Sequence, residues 1–183
     1  MTAEEGTAAT LAIWEAEESA VRARGSVAPG VATSAQAAGR SGIELMRAQL
    51  TGELPRAPIG ATLDFLLLEV EPGRALFQGR PGLAHLNPLG SVHGGWFATV
   101  LDSALGCCVH AALPAGKSYT TLELKANMIR ALSPRVGLVR AEGRVIHLGG
   151  QTATADARLV GPDGKLYAHA STTCLVFPTP NPK

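Results

Sequence analysis

The sequence predicts an α+β fold in which one long helix is wrapped by a curved antiparallel β-sheet of five to six strands. Three patterns lead there. Residues 93–112 form a helical segment with apolar residues on nearly every side, a hairpin pattern precedes it, and four strand patterns follow it.

In the helical segment Trp96, Phe97, Val100, Leu101, Ala104, Leu105, Cys108 and Val109 recur at three- and four-residue steps. A helix that is apolar all round belongs inside a structure. Upstream, "ATLDFLLLEVEPGRALFQGRP" (61–81) reads as two strands joined at Glu71-Pro72-Gly73. Downstream, "SYTTLELKANMIRAL", "VGLVRAEGRVIHLG", "QTATADARLVG" and "KLYAHASTTCLVF" read as strands separated by turns at Ser133-Pro134, Gly149-Gly150 and Gly161-Pro162-Asp163-Gly164. The expected order is therefore helix, hairpin, helix and four meandering strands. The edge strand left by such a sheet invites pairing with a second copy.

At 183 residues the chain suits one domain with an appendage, and its core needs neither disulfide nor metal. Residues 1–40 read as an Ala/Gly-rich N-terminal extension, partly helical over "AATLAIWEAEESAVRAR" and otherwise a flexible tether. The main domain spans 41–178, and 179–183 form a C-terminal tail. It opens on a short helix, "SGIELMRAQLTGELP", with Ser41 as N-cap and Gly52 then Pro55 as stop signals.

A net charge of +1, from 16 basic and 15 acidic residues spread along the chain, disfavours nucleic-acid and membrane partners. No leader pattern opens the chain, and no run approaches the roughly 20 apolar residues of a membrane span. Three cysteines, two of them adjacent in an apolar segment, suit reduced packing residues in a cytoplasmic protein. His85, His93, His110, His147 and His169 are scattered without ligand spacing, so neither a metal nor an organic cofactor is expected.

The chemistry concentrates in "HLNPLGSVHGGWFATVLDSALGC" (85–107). Gly94 and Gly95 at the helix start leave backbone N–H groups free of side-chain cover, with the positive end of the helix dipole behind them. Such an end suits an anion or oxyanion. Asp102 lies among apolar neighbours with no Lys or Arg close in sequence, and burying a carboxylate there costs several kcal/mol unless it is hydrogen-bonded. A structural aspartate satisfied by distant Ser or Thr hydroxyls is the competing reading. His93 and Asp102 are nine residues apart, half a turn out of phase and about 13 Å along the axis, so they cannot meet at one substrate atom within one helix. If both ends of the segment are functional, a two-fold dimer must bring each helix start to the other chain's Asp102.

These residues carry a resemblance. The run N-P-x-G-x-V-H-G-G from Asn87 to Gly95, Asp102 nine positions after His93, and "TTLELKANMIR" from Thr120 to Arg130 resemble the hotdog-fold acyl-CoA thioesterases of the PaaI-like family, over residues 41–177. The resemblance implies a hotdog fold and hydrolysis of an acyl-CoA or aryl-CoA thioester, with coenzyme A as part of the substrate. It implies that the Gly94 N–H holds the oxyanion, and that the partner chain's Asp102 acts as general base or nucleophile. Asn87 would place the carbonyl or the water, Thr121 would hydrogen-bond the water or Asp102, and His93 would brace the loop. Gly149, Gly150, Gln151 and Thr152 would line the pantetheine channel, Gly95 and Trp96 would border the bound acyl group, and Arg130, with Arg135 or Arg144, would meet the phosphates. Ala131 departs from the proline common there in relatives. The resemblance also implies a dimer or a dimer of dimers. A hydroxyacyl-thioester dehydratase and a non-catalytic acyl-CoA sensor, with residues 1–40 as effector arm, are the alternatives; the acyl chain stays open.

Overall fold

The computed structural model describes residues 2–24 and 27–179. The chain runs α1 (Ala3–Arg24), α2 (Ser34–Ala37), α3 (Gly42–Thr51), α4 (Pro58–Leu63), β1 (Phe65–Glu71) and β2 (Arg74–Gly79). It continues through α5 (Gly94–Ala112), β3 (Lys117–Met128), β4 (Val139–Leu148), β5 (Thr152–Val160) and β6 (Leu166–Pro178). Ala61–Leu63, which the pattern puts in the first strand, form the last turn of α4 instead. Pro58 sets that helix's first turn, and Asp64, at φ 50°, ends it in the left-handed region. Of the expected tail, only Thr179 lies within the described residues.

The six strands form one antiparallel sheet in the order β1-β2-β4-β5-β6-β3. The last four strands are thus not a simple meander: β3 pairs with β6 at the far edge, and the chain returns to lay β4 beside β2. The cause is α5, which packs against every strand and delivers the chain from β2 to the opposite edge. Val100, Leu101, Ala104, Leu105, Cys108 and Val109 are fully buried on it. Each larger aliphatic so buried contributes about 1.5–3 kcal/mol. Gly143 in β4 allows this closeness, because a Cβ there would collide with the Ala104 carbonyl.

The outer face of β1 and β2 is covered as well, so α1 is no loose surface helix. Val21 packs on Leu66, Leu68 and Leu76. Gln78 is buried between α1 and β4: its Nε2 donates to Trp14 O (3.1 Å) and Glu18 Oε2 (3.0 Å), and its Oε1 accepts from Arg140 Nε at 2.8 Å. The Arg140 guanidinium stacks 4.3 Å from the Trp14 ring centre and pairs with Glu17. On the other side α3 packs against α5, where the Glu44 carboxylate accepts from both Ser41 N–H and its hydroxyl, and Gly52, at φ 79°, ends the helix.

Candidate active site

In the single chain α5 is not covered all round. Gly94, Ala98, Thr99, Asp102, Ser103, Cys107 and His110 are half-buried and form an uncovered stripe. Asp102, expected to be buried, stands on this stripe. Its Oδ1 accepts from Thr121 Oγ1 at 3.1 Å. The register of β3 on β6 aims Thr121 inward, opposite the buried Cys174, just before a bulge at Leu122. No ion pair among the described residues involves Asp102.

The groups around this carboxylate stay neutral. Burial, reinforced by the Asp102 charge, pushes the Cys107 thiol up to about 12, which leaves no thiolate to act as nucleophile. Burial likewise pushes the Tyr119 phenol well above its ordinary range, with Cys107, Cys174 and Asp102 adding to the effect. Tyr119 leans over Gly106, where a Cβ would lie 2.6 Å from its hydroxyl. His110, its ring 5.6 Å from that of Tyr119, is held neutral by burial, which lowers its pKa.

At the start of α5, His93 is the N-cap, and its Nδ1 accepts from Gly95 N–H at 2.9 Å. An accepting Nδ1 places the ring proton on Nε2 and makes His93 a brace. Gly95's N–H is thereby used. Gly94's N–H has no acceptor among the described residues, and it borders a pocket of about 230 Å³ shared with Ser91, Phe97, Met128 and Arg130. Asn87 is engaged within its own loop: Oδ1 accepts from Leu89 N–H (2.9 Å) and Ser91 N–H (3.2 Å), and Nδ2 donates to Ser91 Oγ (2.9 Å). One amide hydrogen remains for anything else.

The β4–β5 hairpin tip stands elsewhere. Gly149 N–H donates to Thr152 O, and Gln151 O accepts from Val176 N–H. Gly150, Gln151 and Thr152 are exposed, and Thr152 is level with Leu175 of β6 and, through it, with Thr120 of β3. Arg144 is tied to Glu142, and Arg135 sits in the turn before β4. The expected site is therefore spread out: His93, Gly94, Gly95 and Arg130 lie at the start of α5, Asp102 with Thr121 at its middle, and Gly149–Thr152 at the hairpin tip. Gly94 and Asp102 are about 12 Å apart along the axis, too far for one carbonyl to touch both.

An apolar cavity of about 160 Å³ opens on the Ser103–Cys107 side of α5, walled by Leu50 of α3, Ile59 of α4, Phe65 and Leu67 of β1, and Phe77 of β2. Trp96 is not among its walls. The indole is 3% exposed, donates from Nε1 to Leu63 O at 2.9 Å, and packs edge-on to Phe97. Trp96 serves the core.

The family profile described as Thioesterase superfamily matches residues 89–168, from the loop before α5 into β6. A solved structure of a candidate thioesterase from Ralstonia eutropha JMP134, related to phenylacetic acid degradation, is 31% identical with a TM-score of 0.65, and the match covers 71% of this chain and 98% of that one. The chain belongs to the PaaI-like hotdog thioesterases. A mutant of phenylacetic acid degradation protein PaaI from Thermus thermophilus is 28% identical over 64% of this chain and 97% of that one, with a TM-score of 0.59. A candidate esterase from Pseudomonas aeruginosa is 37% identical over 92 residues, 50% of this chain and 62% of the relative, so the chain spans less than two thirds of that curated protein.

Reading the sequence did not place Cys107 or Tyr119 near Asp102, and it missed the cavity. Tyr119 carried a weak signal, two residues before Thr121 on the same side of β3. The cavity carried none, since its walls come from segments far apart in the chain. Among the described residues no His, Cys, Asp and Glu cluster could hold a metal ion, and no helix is long and apolar enough to cross a membrane.

Proposed function

We propose that the protein hydrolyses an acyl-CoA thioester to the free acid and CoA at a site shared by two copies of the chain. One observation carries this reading: an unengaged N–H at a helix start and an unpaired carboxylate occupy the same uncovered stripe, too far apart for one chain to use together, beside the free edge of β3. Antiparallel pairing of two β3 edges about a two-fold axis would set each α5 start against the other chain's α5 middle.

In this arrangement the thioester oxygen accepts from Gly94 N–H, and the helix dipole stabilises the charge that develops on it. Asp102 of the opposite chain either takes a proton from water as the water attacks, or attacks the carbonyl itself to give an anhydride that water then opens. The tetrahedral intermediate collapses by expelling the CoA thiolate. Thr121 fixes one carboxylate oxygen and leaves the other for the water or the carbonyl. Arg130, at the Gly94 pocket, reaches the CoA phosphates, and the Gly149–Thr152 tip borders the pantetheine arm. The two solved relatives named for phenylacetic acid degradation favour an aryl acyl group. The chemistry needs no metal or organic cofactor.

The test is thiol release from a panel of acyl-CoAs. Asp102→Asn keeps the shape of the side chain and removes its basicity, so kcat/KM on the best substrate should fall by about 10²–10⁴. Wild-type kcat/KM in this variant sinks the assignment. Tight binding without turnover would make the protein a sensor, and an enoyl product would make it a dehydratase.

A further inference from the structure

We propose that the outer end of the apolar cavity, where the N-terminal extension meets Arg56, holds a carboxylate, so that the preferred thioester carries a second acid at the far end of its acyl group. This rests on the hydrolytic reading above.

The sheet sets the course of the cavity. Leu66 and Leu67 are consecutive in β1 and point to opposite faces, Leu66 into the outer cluster with Val21 and Leu67 into the core, yet both line the cavity. Because β1 is an edge strand, the space passes around its free edge. The inner end lies at Ser103 and Cys107 on the uncovered stripe of α5, and the outer end at Arg22 of α1, Pro29 and Arg56. Arg22 and Pro29 belong to residues 1–40, outside the stretch that resembles the family, so the outer end is this chain's own addition to the fold.

Two guanidinium groups stand at that end, and only one is matched. Arg22 pairs with Glu18 and with Asp64, each at 2.7 Å. Arg56 has no carboxylate partner among the described residues. Its side chain makes one hydrogen bond there, from Nη2 to Val21 O at 2.6 Å. A guanidinium carries five N–H donors and keeps its charge in proteins. Burial and the Arg22 charge both lower the Arg56 pKa, so the surroundings disfavour the cation they hold. A carboxylate beside it supplies the missing countercharge and can take two parallel N–H···O bonds.

Between the two ends the lining is mainly hydrocarbon, from Leu50, Ile59, Phe65 and Phe77, and it suits methylene or aryl carbon. Without a cation such a space would reject an acid, because a carboxylate that leaves water unpaired loses several kcal/mol.

The experiment measures kcat/KM of the full chain on two pairs of esters matched in length, adipoyl- against hexanoyl-CoA and suberoyl- against octanoyl-CoA. In at least one pair the acid-ended ester should be preferred by about tenfold or more, the worth of a hydrogen bond to a charged group. Arg56→Gln should lower that ratio by about tenfold or more, and Arg56→Lys, which keeps the charge and loses the fork, should fall between the two. Arg56 also ties the segment before α4 to α1, so a second variant leaves that tie intact. Ala61→Glu, on the exposed side of α4 and within the lining, offers Arg56 a competing carboxylate and should lower the same ratio about threefold. A ratio within each pair cancels any general loss of activity. No preference for the acid-ended ester in either pair, or unchanged ratios in both Arg56→Gln and Ala61→Glu while hydrolysis persists, overturns the carboxylate site and leaves the hydrolytic reading standing. No turnover of any acyl-CoA overturns both.

Discussion

Helix α5 lies on the inner face of the sheet and α1 on the outer face, and the two are held by different chemistry. Ten α5 residues are buried, all of them apolar or glycine, against six strands. Two α1 residues are buried, Glu18 and Val21, and the rest of its attachment is a polar network through Gln78, Arg140 and Arg80. Hydrocarbon burial is indifferent to pH and tolerant of small shifts, whereas a buried network is directional and depends on charge. The fold therefore rests on α5, and α1 is the element able to open locally.

The largest break in this contrast should come from Leu101→Ala, which empties a fully buried position on α5. A loss of about 2–5 kcal/mol in a urea titration is expected, in one transition for the whole chain. Gln78→Ala should cost about 1–3 kcal/mol by leaving the Trp14 carbonyl and the Arg140 Nε without their partner, and protease should cut α1 before the sheet melts. If Gln78→Ala and Leu101→Ala destabilise equally and in one step, the distinction between the helices fails.

Acid should separate the helices too. Burial alone would raise the Glu18 carboxyl, but hydrogen bonds from Arg22 and Gln78 and the charges of Arg22 and Arg80 outweigh it and hold the pKa below its ordinary 4.5. A depressed folded pKa gives stability that is complete above 4.5 and is lost as pH falls through the folded value. Trp14 fluorescence should therefore change in acid, before the global transition, and Glu18→Gln should flatten that change. Trp14→Ala should have the smallest effect, about 0.5–1 kcal/mol for the stacked guanidinium.

Short-range signals made most of the fold legible. Alternation located β5 and β6, three- and four-residue steps located α5, and Glu71-Pro72-Gly73 located the first hairpin. Pairing of β3 with β6 was not legible, because adjacency in a sheet is decided by the path of α5 and not by any local pattern. Pro58 did signal a helix start, but the apolar Leu63 beside a strand masked it. In the site, Asp102 stood out because a charge among apolar residues has few explanations. The direction of Trp96 was not legible, because an aromatic residue in an apolar helix does not reveal which side it faces; here it faces Leu63 and the core.

The far edge of the sheet has a consequence in time. Lys117 of β3 pairs with Pro178 of β6, so β3 waits for the last strand before it gains a strand partner. Long-range pairing of this kind slows folding, because the intervening loop must close before its contacts form. During that wait a strand with exposed Leu122 is open to wrong partners. Lys117, Glu123 and Lys125 on the same strand, with the bulge at Leu122, are features that discourage sticking at edges. The proposed pairing of two copies through β3 requires this last strand to be in place first.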